Sequence, residues 1–226
     1  MEKTFGVICE GPSDYNVIKK IVEIYFKGED VYLTCKQPEI HSSGKQKGTG
    51  GWSLVLEACK NNTIKDILDF NNYVIIQIDT DHSQDKPFDV PHVDNKGKIK
   101  SNNQLYKDIV EKISSLIIQP EIIAKKNNIL FAICIHSTEC WLLPILYTDN
   151  RKEHTNNCIT ALNIAINKKY KGKTVLTKKN KNEDSGIKIY KKIMSEWKDK
   201  SDVENTSKHN IGFMNFIISL NNVNKI

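Results

Sequence analysis

Nowhere in these 226 residues is there a run of the roughly 18 uninterrupted apolar residues needed to span a bilayer. The opening stretch "MEKTFGVICEG" lacks the apolar segment of a secretory signal, so the expectation is a cytoplasmic protein with no membrane partner. Cysteine is present but scattered. Cys9, Cys35, Cys59, Cys134, Cys140 and Cys158 include no CxxC pair and no histidine at zinc-ligand spacing, which argues against a zinc site and for reduced structural thiols. No GxxxxGKS or GxxxxGKT phosphate loop occurs, and "GKQKGTGG" does not match one, so any ATPase involved is a separate partner. There is also no internal repeat, and no RNP-type or helix-turn-helix signal that would give sequence-specific readout.

What is present fits a folded protein with one sizeable core: 39% hydrophobic and 27% charged residues. The formal charge of +6 is unevenly placed: from Arg151 onward 16 Lys or Arg face 7 Asp or Glu, a net of +9, leaving 17 against 20, a net of −3, before it. An acidic portion followed by a basic one suits a metal site beside a polyanion-binding surface, although a general lysine and asparagine bias gives the same count.

Apolar patterning predicts strands at "TFGVICEG", "DVYLTCKQP", "NYVIIQIDTD" and "ILFAICI", the third continuous enough for a central parallel strand covered on both faces. Between them "PSDYNVIKKIVEIYF", with Ser13 as its expected cap, "WSLVLEACKNNTIKDILDF" and "NNQLYKDIVEKISSLII" carry helical spacing. "HSTECWLLPILY" reads as a turn into a short apolar helix. The layout predicts a parallel α/β unit over residues 1–150. A basic, mainly helical extension over 151–226 is expected to pack on it. The link "KGKTVLTKKNKNED" reads as mobile or as ordering on a partner. The apolar "GFMNFIISL" can pack on the sheet or on a second subunit, which leaves a homodimer open.

In a parallel sheet, ligands bind beyond the carboxyl ends of the strands, where Glu10, Asp79 and Asp81 all fall. An acid at a strand end also caps a helix or turns the chain, so either strand alone carries little. Two strands delivering acids to one edge carry more, because the charges repel unless a cation neutralises them. Oxygen ligands without a convergent histidine or thiol set favour Mg²⁺ or Mn²⁺.

"VICEGPSD" resembles the glutamate motif of Toprim domains, and "IIQIDTDHSQD" resembles their Asp-x-Asp motif. The length and "HSTECWLLP" are similar to small stand-alone Toprim proteins of phage-defence systems. The resemblance covers roughly residues 4–147 and implies a Toprim-like sheet. It implies that Glu10 holds metal or acts as general base, that Asp79 and Asp81 bind metal, and that Asp14 and Glu139 add ligands. It further implies that Gly11 admits substrate or backbone, with Asp85 a looser match to a third aspartate. His82 and Lys86, on the loop after the Asp pair, and His136, at the edge of the last strand, are candidate substrate contacts. Lys45 and Lys47 are candidate phosphate contacts.

Together these readings predict a Mg²⁺- or Mn²⁺-dependent nuclease cutting RNA or DNA as a defence effector or toxin. The alternatives are a regulatory or nucleic-acid-binding module working with a partner ATPase, and a phosphotransfer enzyme acting on nucleotides.

Overall fold

Lys3–Ile8 forms β1 because Phe5, Val7 and Ile8 need cover on both sides, and all three are fully buried in the computed structural model. That structure describes residues 2–40, 46, 48–171 and 175–223, so Lys45 and Lys47 lie outside the described residues. Val31–Gln37 is β2, Tyr73–Asp79 is β3 and Ile129–Cys134 is β4. They form one all-parallel sheet in the order β2-β1-β3-β4, with helices on both faces. The central strand β3 is buried at every position, as its unbroken apolar run predicts.

The crossovers are α1 (Pro12–Tyr25), the pair α2 (Trp52–Lys60) and α3 (Thr63–Leu68), and α4 (Asn102–Leu116) with the short α5 (Pro120–Ile123). The predicted break at Asn61 and Asn62 separates α2 from α3. After β4 the chain is helical: α6 (Glu139–Leu146), α7 (Cys158–Tyr170), α8 (Asp184–Met194), α9 (Lys200–Ser207) and α10 (Ile211–Val223). Among the described residues, no helix is long and apolar enough to cross a membrane.

Alternation along the strands divides the apolar residues between two layers. Ile8, Val74, Ile76, Ile78 and Ile133 face α2 to α4. Phe5, Val7, Tyr73, Ile75, Leu130 and Ala132 face α1 and the C-terminal helices, in one cluster with Tyr190, Trp197, Phe213 and Phe216. Trp141 stacks on Phe213, ring centroids 4.5 Å apart and 6° from parallel. The "GFMNFIISL" segment therefore covers the sheet of its own chain. Gly212 permits that approach, since a Cβ there would lie 1.8 Å from the Ile133 carbonyl oxygen.

Three readings of the sequence are corrected. Cys140 and Cys158 form a disulfide between α6 and α7, so these two are not reduced thiols; the fold closes an 18-residue separation that sequence spacing does not reveal. Ser13 is inside α1 rather than at its cap, and the Asn182 side chain does the capping from 169 residues away. The link read as mobile or as ordering on a partner is described at Lys171 and over 175–184, and its Lys178, Lys181 and Asn182 are bonded to this chain's own residues at the carboxyl edge of the sheet.

Candidate active site

β1 and β3 each end at an acid because the apolar run that needs burial has been used up there. Glu10 follows β1, and its carboxylate accepts a hydrogen bond from the Asp79 backbone N–H at 2.7 Å. The two acids are thus joined across adjacent strands. Buried Gln77 ties the same ends together: its carbonyl accepts from Glu10 N–H at 3.1 Å and its amide donates to Asp79 Oδ1 at 2.9 Å. Asp79 Oδ1 also accepts from the N–H and hydroxyl of Thr138, both at 3.1 Å, which fixes its rotamer. Asp81 lies past the end of β3, where the chain turns, and is only partly buried.

Two further acids enter from helix N-termini. Asp14 sits in the first turn of α1 and Glu139 opens α6, both essentially inaccessible to water. Asp14 Oδ1 and Glu139 Oε2 have no hydrogen-bond partner. Buried oxygens of this kind are costly unless something positive reaches them.

Part of the positive charge comes from the basic portion. Lys181 Nζ is 3.1 Å from Glu139 Oε1 and 3.9 Å from Asp79 Oδ2, with its side chain only 14% exposed. Tyr190 donates its hydroxyl to the same Glu139 oxygen. Lys178 reaches Asp81 at 3.2 Å. Asn182, the next residue after Lys181, accepts from Ser13 N–H and Oγ–H at 3.1 and 2.7 Å, locking this segment onto α1.

Electrostatics follow from this arrangement. Burial, then repulsion from Asp14, pushes Glu10 up to about 8. Burial, then Glu10, raises Asp79 well above the carboxylate range, and burial also raises Asp14. Glu139 behaves oppositely: burial pushes it up, but Lys181 and Tyr190 outweigh that and hold it at about 2. Burial would discharge Lys181, yet Glu139, Asp14 and Asp79 raise it well above the usual lysine value. Five carboxyl groups share two ammonium groups, and the raised acids hold protons where a further cation would otherwise be needed.

The all-oxygen donor set and its two partnerless buried oxygens suit a hard divalent cation. Among the described residues, however, the acid oxygens do not converge within 4.8 Å as a set of three. The Lys181 ammonium stands among them instead.

Glu10, Asp79, Asp81, Glu139, His136 and His82 line one cleft of about 520 Å³, with Lys178 and Lys181 on its wall. Gly11 and Lys86 are not part of that lining. A Cβ on Gly11 would lie 2.6 Å from Asn182 Oδ1, so the close approach that Gly11 allows is used by Asn182. Lys86 is exposed, and His82 is paired through Nδ1 with Asp85 Oδ2 at 2.8 Å. His136 has a left-handed backbone, φ 66, uncommon for a residue with a side chain. Its N–H donates to Thr80 Oγ1, and its carbonyl accepts from the Thr80 and Asp81 amides.

Lys181 and Tyr190 were missed as site residues. Lys181 lies in a lysine-rich polar stretch where no single lysine stands out, and Tyr190 reads as a packing group on an amphipathic helix. The one available signal was the cost of burying Glu139 unpaired, which demands a cation from somewhere. In comparisons with known proteins, no protein-family model, no curated protein and no solved structure matches the chain.

Proposed function

We propose that this chain is a divalent-metal-dependent nuclease of the Toprim kind, hydrolysing phosphodiester bonds of RNA or DNA as a phage-defence or toxin effector. The observation that carries the reading is the cluster of five acids at the carboxyl edge, Asp14, Asp79 and Glu139 of them buried, with only two ammonium partners and with Glu10, Asp79, Asp81 and Glu139 lining a cleft. Glu10, Asp79 and Asp81 would hold Mg²⁺ or Mn²⁺, with Asp14 and Glu139 available for further coordination. A bound ion of this kind supplies Lewis acidity and a water activated at neutral pH.

The chain's own groups have separate roles. Asp79, oriented by Gln77 and Thr138, lines the cleft with its Oδ2 3.9 Å from the Lys181 ammonium. Glu10 has two alternative roles, ligand to the ion or, outside its coordination shell, general base; in the metal-free protein burial and Asp14 push it up to about 8. Lys181 offsets charge on a phosphate oxygen. Lys178, exposed at the rim, steers the polyanion.

The placement of Lys181 among the acids also favours a second reading. If the ammonium is a permanent counter-ion, the acids form a binding or regulatory surface that works with a partner ATPase. Incubating purified protein with DNA, total RNA and tRNA, with EDTA, Mg²⁺ or Mn²⁺, separates the two. Cleavage by wild type, lost in Glu10→Gln, supports the nuclease. Equal inertness of both proteins, with any adjacent-gene ATPase added, rejects it.

A further inference from the structure

The same cleft that Asp79 lines also holds a donor set of different character. His136, Cys140 and Cys158 bring one ring nitrogen and two sulfurs within 4.8 Å of one another. We propose that in the reduced protein these three residues bind a Zn²⁺-class cation with one coordination position open to the cleft, and that the Cys140–Cys158 disulfide is the metal-excluding state of the same site. This inference does not depend on the nuclease reading.

Donor chemistry is the first argument. Two thiolates and an imidazole select a borderline-soft, tetrahedral ion such as Zn²⁺, whereas the carboxylates of the same cleft select hard ions. The two sets do not compete for one metal. Three protein ligands leave a fourth position, and both His136 and Cys158 line the cleft, so that position is reachable.

Preorganisation is the second. His136 is held by hydrogen bonds on both its N–H and its carbonyl, in a left-handed backbone that the ends of β3 and β4 enforce. Its Nδ1 lies 4.0 Å from Cys140 Sγ. The Cys140 N–H is fixed by the Ser137 carbonyl at 3.0 Å, and Cys158 is the first residue of α7. The two cysteine Cα atoms are 5.1 Å apart, so both side chains can reach one ion between them. Ser137 Oγ, 3.3 Å from His136 Nδ1 and 3.8 Å from Cys140 Sγ, is placed to hydrogen-bond a metal-bound water.

Interconversion balances without any unnamed reactant. An added dithiol breaks the Sγ–Sγ bond and becomes a disulfide itself, while each cysteine gains one electron and one proton. Metal binding then expels the two thiol protons. Oxidation by a low-molecular-weight disulfide reverses the sequence and releases the ion.

Cobalt(II) reports on such a site, because only thiolate ligation gives a sulfur-to-cobalt charge-transfer band in the near ultraviolet. The full-length protein, reduced and freed of reductant without air, is titrated with Co²⁺ and then Zn²⁺. The expected result is a charge-transfer band saturating at one equivalent and abolished by one equivalent of Zn²⁺. The band should be absent in the disulfide form, weakened or absent in Cys158→Ser, where one thiolate remains, and retained in the Cys9→Ser/Cys35→Ser double variant. His136→Gly, which keeps the left-handed backbone unstrained, should weaken Co²⁺ affinity roughly tenfold or more, since even outer-shell partners are worth 10–100-fold. No thiolate band in reduced wild type, or a band undiminished in Cys158→Ser, overturns the proposal. If Cys158→Ser fails to fold, unchanged affinity in His136→Gly overturns it instead.

Discussion

Replacing Lys181 with methionine keeps the length and apolar stem of the side chain and removes only its charge. The partners left behind are Glu139, 3.1 Å from the missing ammonium, and Asp79, 3.9 Å from it. In the wild type, Glu139 is held at about 2 against an ordinary value of 4.5. That depression stabilises the folded state by about 3 kcal/mol at neutral pH, taking roughly 1.4 kcal/mol per unit. Stripping one partner from a buried pair costs about 3–5 kcal/mol in general, the same order. For a chain of this size each kcal/mol moves the melting temperature by about 2–4 °C, so Lys181→Met should melt about 6–12 °C lower at pH 7 in EDTA. The sign with pH is fixed. A depressed carboxyl contributes fully above its unfolded value and loses that contribution as pH falls from about 4.5 towards about 2. In the variant Glu139 can take up a proton at higher pH, so its deficit should shrink as the solution is acidified towards pH 5. Mn²⁺ should restore more of the lost stability in Lys181→Met than it adds to wild type, because a cation then fills a vacated cationic position. Thermal unfolding followed by circular dichroism, across pH and with or without Mn²⁺, measures all three effects. An unchanged melting temperature, or a loss indifferent to both acid and Mn²⁺, would refute the electrostatic account of Lys181.

Glu10, raised to about 8, acts in the opposite direction: the metal-free protein should lose stability as pH rises from about 4.5 through about 8, and Glu10→Gln should flatten that loss in EDTA melts. Mg²⁺ should accordingly raise the wild-type melting temperature more at pH 8 than at pH 6. Asp79→Asn should abolish cleavage while leaving nucleic-acid affinity equal or tighter, checked by gel assay and fluorescence anisotropy on one oligonucleotide. Reversing exposed Lys178 and Lys179 to glutamate should reduce the slope of log affinity against log salt by about one unit per lost phosphate contact. Gly212→Ala should cost about 1–3 kcal/mol in urea unfolding, since its methyl group has no room against Ile133.

The strands of the sheet and the acids at their ends were legible because both follow from one local rule: an apolar run long enough to cross the core, then a polar residue where the core stops. β3 is the clearest case. The partner charges were not legible. Lys181 is 42 residues beyond Glu139, and the packing of α8 on α1 and α6, with Asn182 bonded to Ser13, brings it back. The charge count correctly separated an acidic portion from a basic one, but assigning chemistry to the first and affinity to the second missed that Lys181 is buried within the acids. The helix α9, "KSDVENTS", escaped notice because it has only Val203 as a large apolar anchor and starts instead from the Asp199 side chain, which accepts from the Ser201 and Asp202 amides. The disulfide was invisible for the reason that all tertiary pairings of distant cysteines are: spacing along the chain says nothing about which helices meet.

The origin of the site's charges in two distant stretches has a consequence for biosynthesis. All five acids have been translated by residue 139, while their buried counter-ion follows 42 residues later and the aromatic cover from α10 later still. At the ribosome's pace of about 5–20 residues per second, Lys181 is made roughly 2–8 s after Glu139. During that interval the nascent sheet edge has acids without their lysine, and the layer of core that excludes water from Glu139 has not been made. A chain stopped by a premature termination codon before Lys181 would keep every acidic motif recognisable in its sequence and still lack a formed site.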